Sequence, residues 1–145
     1  MLSTEAKLAP IHVVAGLIEG PGPQYLLAQR GAHQHLAGCW EFPGGKIEAG
    51  ESQLDALRRE LQEELAISLT EAEPFLSLNY DYPEKTVALH FFRVTQFEGE
   101  ARGCEGQMLR WVPLAELPGL DLPPANIPVL ERLEQYWSPR LSSAE

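Results

Sequence analysis

Cysteine and long apolar segments are the two features that this sequence has least of. Its two cysteines, Cys39 and Cys104, form no CxxC pair, which is typical of reduced thiols and predicts no disulfide between them. No apolar run approaches the ~20 residues that a membrane-spanning helix needs. The first ten residues, MLSTEAKLAP, lack the hydrophobic core of a signal peptide. We therefore expect a cytoplasmic protein without a membrane segment.

Basic residues are also scarce, with 11 Lys and Arg against 21 Asp and Glu and a formal net charge of −10. A surface with this charge repels DNA and RNA, so we expect no nucleic acid polymer as a partner. A small phosphorylated substrate remains compatible if a divalent cation bridges it to the acidic groups. The length predicts a single domain over residues 1–145, with flexible ends at 1–10 and 138–145. We expect a monomer.

Apolar runs and turn signals divide the chain into several strands and two helices. Strands are predicted at 11–18, 25–30, 39–42, 75–83, 86–94 and 108–114. Helices are predicted at 52–65, where Ser52 followed by Asp55 fits a capping box and so marks the N-cap, and at 127–137. No strand is predicted at 43–51 or 66–74. Strands before and after two helices indicate an α+β fold, a mixed β-sheet flanked by helices as an α/β/α sandwich.

The first predicted helix combines a leucine stripe with three glutamates. At ~100° per residue, four leucines fall within one narrow stripe that would pack on the sheet: Leu54, Leu57, Leu61 and Leu65. Glu60 and Glu64 lie one turn apart at its edge, and Glu63 lies further round on the same side. Such an acidic face is usually only solvated. However, glutamates one turn apart repel each other, and a divalent cation bound by their oxygens would offset that repulsion.

The spacing upstream of these glutamates makes the pattern specific. The segment reads Gly45-x5-Glu51-x7-Arg59-Glu60-Leu61-x-Glu63-Glu64-x-Ala66-Ile67. It resembles the nudix box, G-x5-E-x7-R-E-U-x-E-E-x-G-U, in which U is a bulky aliphatic residue. Ala66 stands where the family has Gly. This departure costs about 1 kcal/mol if the backbone needs a positive φ there, but it removes no ligand.

The resemblance implies a nudix fold and a hydrolase that cleaves a nucleoside diphosphate linked to another group. Water attacks a phosphorus of the pyrophosphate, and Mg²⁺ or Mn²⁺ is the implied cofactor because it offsets the phosphate charge that repels the nucleophile. The implied metal ligands are the Gly44 carbonyl and the carboxylates of Glu60, Glu63 and Glu64. Arg59 matches the residue that holds the catalytic glutamate in place, and Glu51 matches a glutamate that stabilises the loop–helix junction.

Outside the box, the sequence resembles the MutT branch of the family from about His12 to Leu133. WEFPGGKIE and ELQEE echo segments of that branch, which removes 8-oxo-dGTP from the nucleotide pool and so avoids mutations. FEGEARGCEGQ resembles a MutT loop whose glutamate joins the metal site, and this implies that role for Glu105. An isolated loop glutamate would otherwise be a surface residue. The sequence leaves open whether Glu60 or Glu105 is the general base.

The segment LPPANIPVL resembles the MutT segment whose asparagine reads the oxidised base, and this implies the same role for Asn126. Oxidation at C8 of guanine puts a proton on N7, so the edge that offered two acceptors now offers a donor and an acceptor. An amide matches this edge, because its C=O accepts from N7–H and its NH₂ donates to O6. Alternatively, Asn126 only caps the second helix.

Five further residues have weaker matches to nucleotide contacts of the MutT branch. They are Arg30 and His35, Phe42 and Tyr82 for packing of base and sugar, and Lys85, which replaces an arginine. Two other functions remain open. One is a nudix pyrophosphohydrolase for CTP or 5-methylcytidine nucleotides, a branch that tends to carry Asp at the position of Asn126. The other is a recognition module for oxidised guanine without catalysis, but such modules lose the box glutamates that this chain keeps.

Overall fold

The computed structural model describes residues 9–34 and 37–143, which form seven strands and two α-helices. The strands are β1 Ile11–Ile18, β2 Gln24–Gln29, β3 Trp40–Glu41, β4 Gly44–Lys46, β5 Ser68–Tyr82, β6 Lys85–Glu98 and β7 Leu109–Pro113. The helices are α1 Gln53–Leu65 and α2 Ile127–Ser143. Two 3₁₀ helices, Leu114–Gly119 and Pro124–Asn126, lie between β7 and α2. No described helix has both the length and the apolar character that a membrane span requires.

The strands form two sheets. The larger sheet has the order β4-β1-β6-β5 and is mixed, because β1 runs parallel to β6 and antiparallel to β4. The smaller sheet has the order β3-β2-β7 and is antiparallel. The parallel pairing from Ile11↔Val87 to Ile18↔Val94 brings together strands that are far apart in the sequence. It places the chain before α1 beside the chain after it.

The ends of α1 follow from two local signals. Ser52 is the N-cap, and its side chain accepts a hydrogen bond from the Asp55 N–H at 3.1 Å, as the sequence predicted. Ala66 ends the helix in the left-handed conformation, with φ 60°. Three leucines of the predicted stripe, Leu57, Leu61 and Leu65, are fully shielded from solvent as expected, whereas Leu54 is only partly buried.

The two helices help to form separate apolar clusters. Leu57, Leu61 and Leu65 of α1 pack with Val14 and Phe92 of the larger sheet. Val129 and Leu133 of α2 belong to a second cluster, with core residues that include Leu17, Leu27 and Phe91. Alternate residues of β1 contribute to the two clusters, so this strand is covered on both faces. The prediction of an α+β fold with mixed pairing and flanking helices is confirmed.

The largest departures from the sequence-based prediction are in β4, β5 and α2. β4 was missed because glycines are depleted in strands, yet Gly44 pairs with Ala15 of β1. β5 begins at Ser68, seven residues before the predicted start, and includes Pro74. Proline is tolerated there because β5 is an edge strand with an irregular register. The helix α2 continues beyond Trp137 through Pro139 to Ser143.

Candidate active site

Arg59 connects the acidic helix to the loop that precedes it. Its guanidinium donates two hydrogen bonds to Glu51, at 2.6 and 2.9 Å, and one to the Lys46 carbonyl at 3.1 Å. The same group donates to Glu60 at 3.2 Å and to Glu63 at 3.4 Å. Hydrogen bonds, first from Arg59 and then from the Glu48 N–H, lower the pKa of Glu51 to about 2. Arg59 therefore fixes β4 against α1 and holds the Glu60 carboxylate in place.

The glycines of β4 allow the backbone to approach α1 and β1 closely. A Cβ on Gly44 would lie 2.0 Å from the Val14 carbonyl oxygen, inside the strand pairing. A Cβ on Gly45 would lie 2.3 Å from Oε2 of Glu60. Glycine is therefore required at position 44, where the contact is with rigid backbone. At position 45 a Cβ would displace the end of the Glu60 side chain. The Glu60 carboxylate lies directly against the β4 backbone.

Glu64 is the acid of this region whose pKa is shifted most. The pKa of Glu64 is raised to about 9, mainly by burial and then by a hydrogen bond and charge repulsion from the adjacent Glu60 carboxylate. Glu105 and Glu41 add weaker repulsion. Several acids thus share a space in which negative charge is unfavourable. Bound divalent cations stabilise ionised carboxylates, so the oxygen donors and their excess negative charge fit such an ion.

The predicted acidic residues differ in exposure. Glu60 has a side-chain exposure of 14% and lies in the middle of α1 facing Gly45, whereas the Glu63 side chain is 57% exposed. Glu105 is exposed in the loop between β6 and β7, near enough to Glu64 to raise its pKa. Among the described residues, no group of three or more His, Cys, Asp and Glu side chains is arranged to hold a metal ion. A complete ligand set would therefore need backbone carbonyls, water or side-chain movement.

A cavity of about 340 Å³ opens beside these acids. Its lining includes the Gly44 and Gly45 backbone, Glu64 and four predicted substrate-contacting residues: Arg30, Phe42, Tyr82 and Asn126. The volume falls within the ~300–1,000 Å³ typical of small-molecule sites. The structure thus brings α1, β4 and the segment before α2 to one cleft. Lys85 is exposed at the start of β6 and does not line the cleft, and His35 lies outside the described residues.

Asn126 is the only buried polar residue of the described chain, with 8% exposure. Its Nδ2 donates to the Pro123 carbonyl at 3.3 Å, and its backbone N–H donates to the same carbonyl at 2.9 Å. The side chain is therefore bonded to the preceding 3₁₀ turn, and no described helix N–H donates to its oxygen. The simple helix-cap explanation for Asn126 does not describe this geometry. One amide hydrogen and the amide oxygen remain available to a ligand.

Glu41 is a cleft residue that the sequence analysis missed. It lies on β3, and its carboxylate forms an ion pair with Arg30, with 3.0 Å between Oε1 of Glu41 and the guanidinium nitrogen. Burial raises the pKa of Glu41, although Arg30 opposes this shift. Its position in the segment WEFPGGKIE, one residue before Phe42, was the sequence feature that could have indicated a place at the site. A glutamate in a two-residue strand gives no periodic pattern, so only the tertiary structure shows that it points toward the cleft.

The fold and this acidic cleft define a family. The family model described as the NUDIX domain matches residues 13–132. The match covers more than half of the chain, so the protein belongs to the Nudix hydrolase family, and the prediction made from the box is confirmed.

Within that family, the chain is similar to several proteins of known activity or structure. The chain is 39% identical over 125 residues to the 8-oxo-dGTP diphosphatase of Escherichia coli (strain K12), covering 86% of this chain and 97% of the relative. It is 45% identical over 121 residues to the CTP pyrophosphohydrolase of the same organism, covering 83% and 89%. A solved structure of MutT, from work on Aliivibrio salmonicida and Vibrio cholerae, is 39% identical with a TM-score of 0.73, covering 86% and 97%.

Proposed function

We propose that the protein is a Nudix pyrophosphohydrolase of the MutT type that hydrolyses 8-oxo-dGTP to 8-oxo-dGMP and pyrophosphate. The reaction adds one water across a phosphoanhydride bond and removes an oxidised nucleotide before it is incorporated into DNA. The observation that carries the proposal is the buried Asn126 amide on the cleft that also contains Glu64. The diphosphatases at about 40% identity support the same substrate.

The base specificity follows from the hydrogen-bonding groups that Asn126 has left. With one N–H bonded to Pro123, the second can donate to O6 while the amide oxygen accepts from N7–H of the oxidised base. Unmodified guanine would place the N7 lone pair against that oxygen. Leaving such a buried pair mismatched costs ~1–3 kcal/mol, which disfavours dGTP. Phe42, which is 4% exposed, and Tyr82 supply apolar surface for the base.

The acids of α1 supply the reaction centre in this proposal. Glu60, Glu63, Glu64 and Glu105, together with the Gly44 carbonyl, would hold Mg²⁺ or Mn²⁺. When bound, the cation offsets phosphate charge and lowers the pKa of coordinated water. Arg59 keeps Glu60 oriented through its hydrogen bond at 3.2 Å, which restricts the positions available to that carboxylate. Arg30, paired with Glu41, is the cation assigned to the nucleotide, and His35 keeps its predicted contact there. Lys85 lies outside the cleft lining, so no nucleotide contact is assigned to it.

A pyrophosphohydrolase for CTP is the second candidate, and one observation favours it. The relative with that activity is 45% identical to this chain, above the 39% for the Escherichia coli diphosphatase. Cytosine presents an N4 amino donor where guanine presents O6. An amide can accept from that donor, so Asn126 alone does not exclude cytosine. A direct comparison of substrates is needed to separate the two activities.

The first experiment is a substrate panel with Mg²⁺: 8-oxo-dGTP, dGTP, CTP and 5-methyl-dCTP, scored by kcat/KM. We expect 8-oxo-dGTP to be preferred over dGTP by at least about tenfold, the equivalent of ~1.4 kcal/mol. Asn126→Asp should remove most of that preference, because a carboxylate cannot donate to O6. Similar values for 8-oxo-dGTP and dGTP, or preference for cytosine nucleotides, would contradict the proposed substrate.

The catalytic role of the acids is tested separately with Glu60→Gln and Glu105→Gln, using the best substrate of the panel. Each variant should lower kcat by at least about a hundredfold if its carboxylate is the general base. Gln96→Ala, an exposed amide on β6, is the control. Unchanged turnover in Glu60→Gln would contradict the catalytic assignment of α1.

We also infer a monomeric enzyme that works as one domain in the cytoplasm. The thiols of Cys39 and Cys104 are both free, and Cys104 is exposed, which fits a reducing compartment. The net charge of −10 supports a small nucleotide rather than a nucleic acid polymer as the substrate. Light scattering of the purified protein would test the oligomeric state.

A further inference from the structure

The loop between β6 and β7, residues 99–108, is attached to the C-terminal end of α1. The Cys104 N–H donates to the Glu64 carbonyl at 3.0 Å, and the Arg102 N–H donates to the Leu65 carbonyl at 3.0 Å. The last carbonyls of a helix have no partner within it. The loop supplies those partners, and in doing so it brings Glu105 beside the acids of α1.

The side chain of Gln107 adds a bridge at the same place. Its Nε2 donates to the Glu64 carbonyl at 3.2 Å, and its Oε1 accepts from the Glu105 N–H at 2.9 Å. One amide therefore connects the backbones of two residues whose carboxylates belong to the proposed metal site. Gln107 is half-buried, whereas Glu105 itself is exposed.

Gly103 makes room for this bridge. A Cβ at this position would lie 2.2 Å from the Gln107 carbonyl oxygen and 3.1 Å from its Oε1. Gly106 has φ 81°, a conformation that side chains with a Cβ rarely adopt, and it lies between Glu105 and Gln107. Two glycines thus allow the chain to fold back so that the Gln107 side chain reaches both neighbours.

We propose that Gln107 is a positioning residue that fixes the Glu105 carboxylate relative to Glu64 and so keeps the acidic centre assembled. Among the described residues, the Glu105 side chain has no hydrogen bond to α1. The direction of its carboxylate therefore depends on the Glu105 backbone, whose N–H donates to the Gln107 amide. Partners that orient metal ligands typically change affinity or activity by about 10–100-fold when removed. The inference rests on the metal site of the proposed function, but its metal-binding readout does not depend on which nucleotide is the substrate.

Both hydrogen bonds of the bridge require an amide at position 107. A methionine side chain has a similar length but can make neither hydrogen bond, so Gln107→Met removes the bridge with little change in volume. Glutamate would keep the acceptor for the Glu105 N–H, but its oxygen would face the Glu64 carbonyl oxygen without a proton to share. Gln107→Glu should therefore impair the site at least as much as Gln107→Met. The matched control is Gln96→Met, at an exposed amide on β6.

The first test measures Mn²⁺ binding to the folded, substrate-free protein by electron paramagnetic resonance. We expect Gln107→Met to weaken Mn²⁺ binding by about tenfold or more, and Gln96→Met to leave it within twofold. Gly103→Ala, which displaces Gln107 without altering it, should reproduce the loss. Because this readout needs no substrate, it stands even if 8-oxo-dGTP proves to be the wrong nucleotide.

The second test distinguishes positioning from general loop stability. With the best substrate of the panel, Gln107→Met should lower kcat by about tenfold and change KM by less than twofold. In a Glu105→Gln background, Gln107→Met should cause no further loss, because the carboxylate it positions is absent. Equal losses in both backgrounds, or Mn²⁺ binding and kcat that match Gln96→Met, would overturn the proposal.

Discussion

At the scale of single residues, small differences in backbone conformation decide which substitutions the site tolerates. Ala66 lies at the end of α1 with φ 60° and ψ 34°. This left-handed conformation is energetically unfavourable for any residue that has a Cβ. Its N–H still donates to the Gln62 carbonyl at 3.1 Å, so the helix ends as it would with glycine. The departure from the box therefore affects stability and leaves the acidic ligands in place.

Ala66→Gly should raise the free energy of unfolding by about 1 kcal/mol, because glycine adopts positive φ without strain. For a domain of this size, that corresponds to a rise in Tm of about 2–4 °C. Denaturant unfolding of both proteins measures the difference, and kcat/KM should stay within about twofold. A lower stability in Ala66→Gly would show that the left-handed conformation is not strained here.

At the scale of elements, β4 connects the sheet to the acidic helix, and its two glycines have separate tasks. Gly44 lies in the pairing with β1, whereas Gly45 leaves space for the Glu60 carboxylate. Arg59 joins the two elements through the Lys46 carbonyl and Glu60. The position of the carboxylates thus depends on strand pairing as much as on the helix itself.

Gly44→Ala and Gly45→Ala should therefore differ in their effects. Gly44→Ala forces a Cβ against the β1 backbone, and we expect a loss of about 1–3 kcal/mol of stability, measured by urea unfolding. Gly45→Ala displaces only the end of Glu60, so we expect a smaller loss of stability but at least about a tenfold loss of kcat. Gly119→Ala, with open space around it, is the control and should change stability by less than about 0.5 kcal/mol. Equal stability losses in both variants would contradict this division.

At the scale of the whole molecule, α2 is fixed by a network that spans both sheets. Trp137 donates to the Tyr25 hydroxyl at 2.7 Å, and Tyr25 donates to Glu19 at 2.9 Å. Arg93 pairs with Glu19 and lies over the Tyr136 ring, 4.4 Å from its centroid. Because α2 follows Asn126 directly, this network also fixes one wall of the cleft, while the acids of α1 form the other.

The acids impose a pH dependence on the stability of the whole metal-free protein. Burial and the neighbouring Glu60 carboxylate raise the pKa of Glu64 from about 4.5 to about 9, so the folded state binds a proton that the unfolded state has lost in this range. The free energy of unfolding should therefore fall as the pH rises from about 5 to 9. Thermal unfolding in EDTA across this range, compared with Glu64→Gln, isolates the contribution of this one carboxylate.

Saturating Mg²⁺ should reduce that dependence, because a bound cation stabilises the ionised carboxylate and adds binding energy to the folded state only. Tm should rise on adding Mg²⁺ and should rise more at pH 8 than at pH 6. A Tm that does not respond to Mg²⁺ at either pH, or an identical pH profile for Glu64→Gln, would contradict the assignment of Glu64 to the metal site.

The sequence by itself determined the helix α1, its N-cap at Ser52, its buried leucine stripe and its family. These features depend on local spacing, because helical periodicity and the box both lie within 23 residues, 45–67. It also predicted most strands, because alternation and turn signals are local. Strands with glycine, glutamate or proline, such as β4 and the first half of β5, gave no such signal.

Only the tertiary structure decided which of these residues meet. Residues as far apart as Arg30, Glu64 and Asn126 line one cleft because both sheets, α1 and the 3₁₀ turn before α2 close around it. Glu41 also lines the cleft, although the sequence did not indicate it. Lys85 does not line the cleft, although the sequence had assigned it to the site. The bridge from Gln107 to Glu64 spans 43 positions. Long-range contacts of this kind depend on the packing of the whole chain, so a local sequence pattern does not predict them.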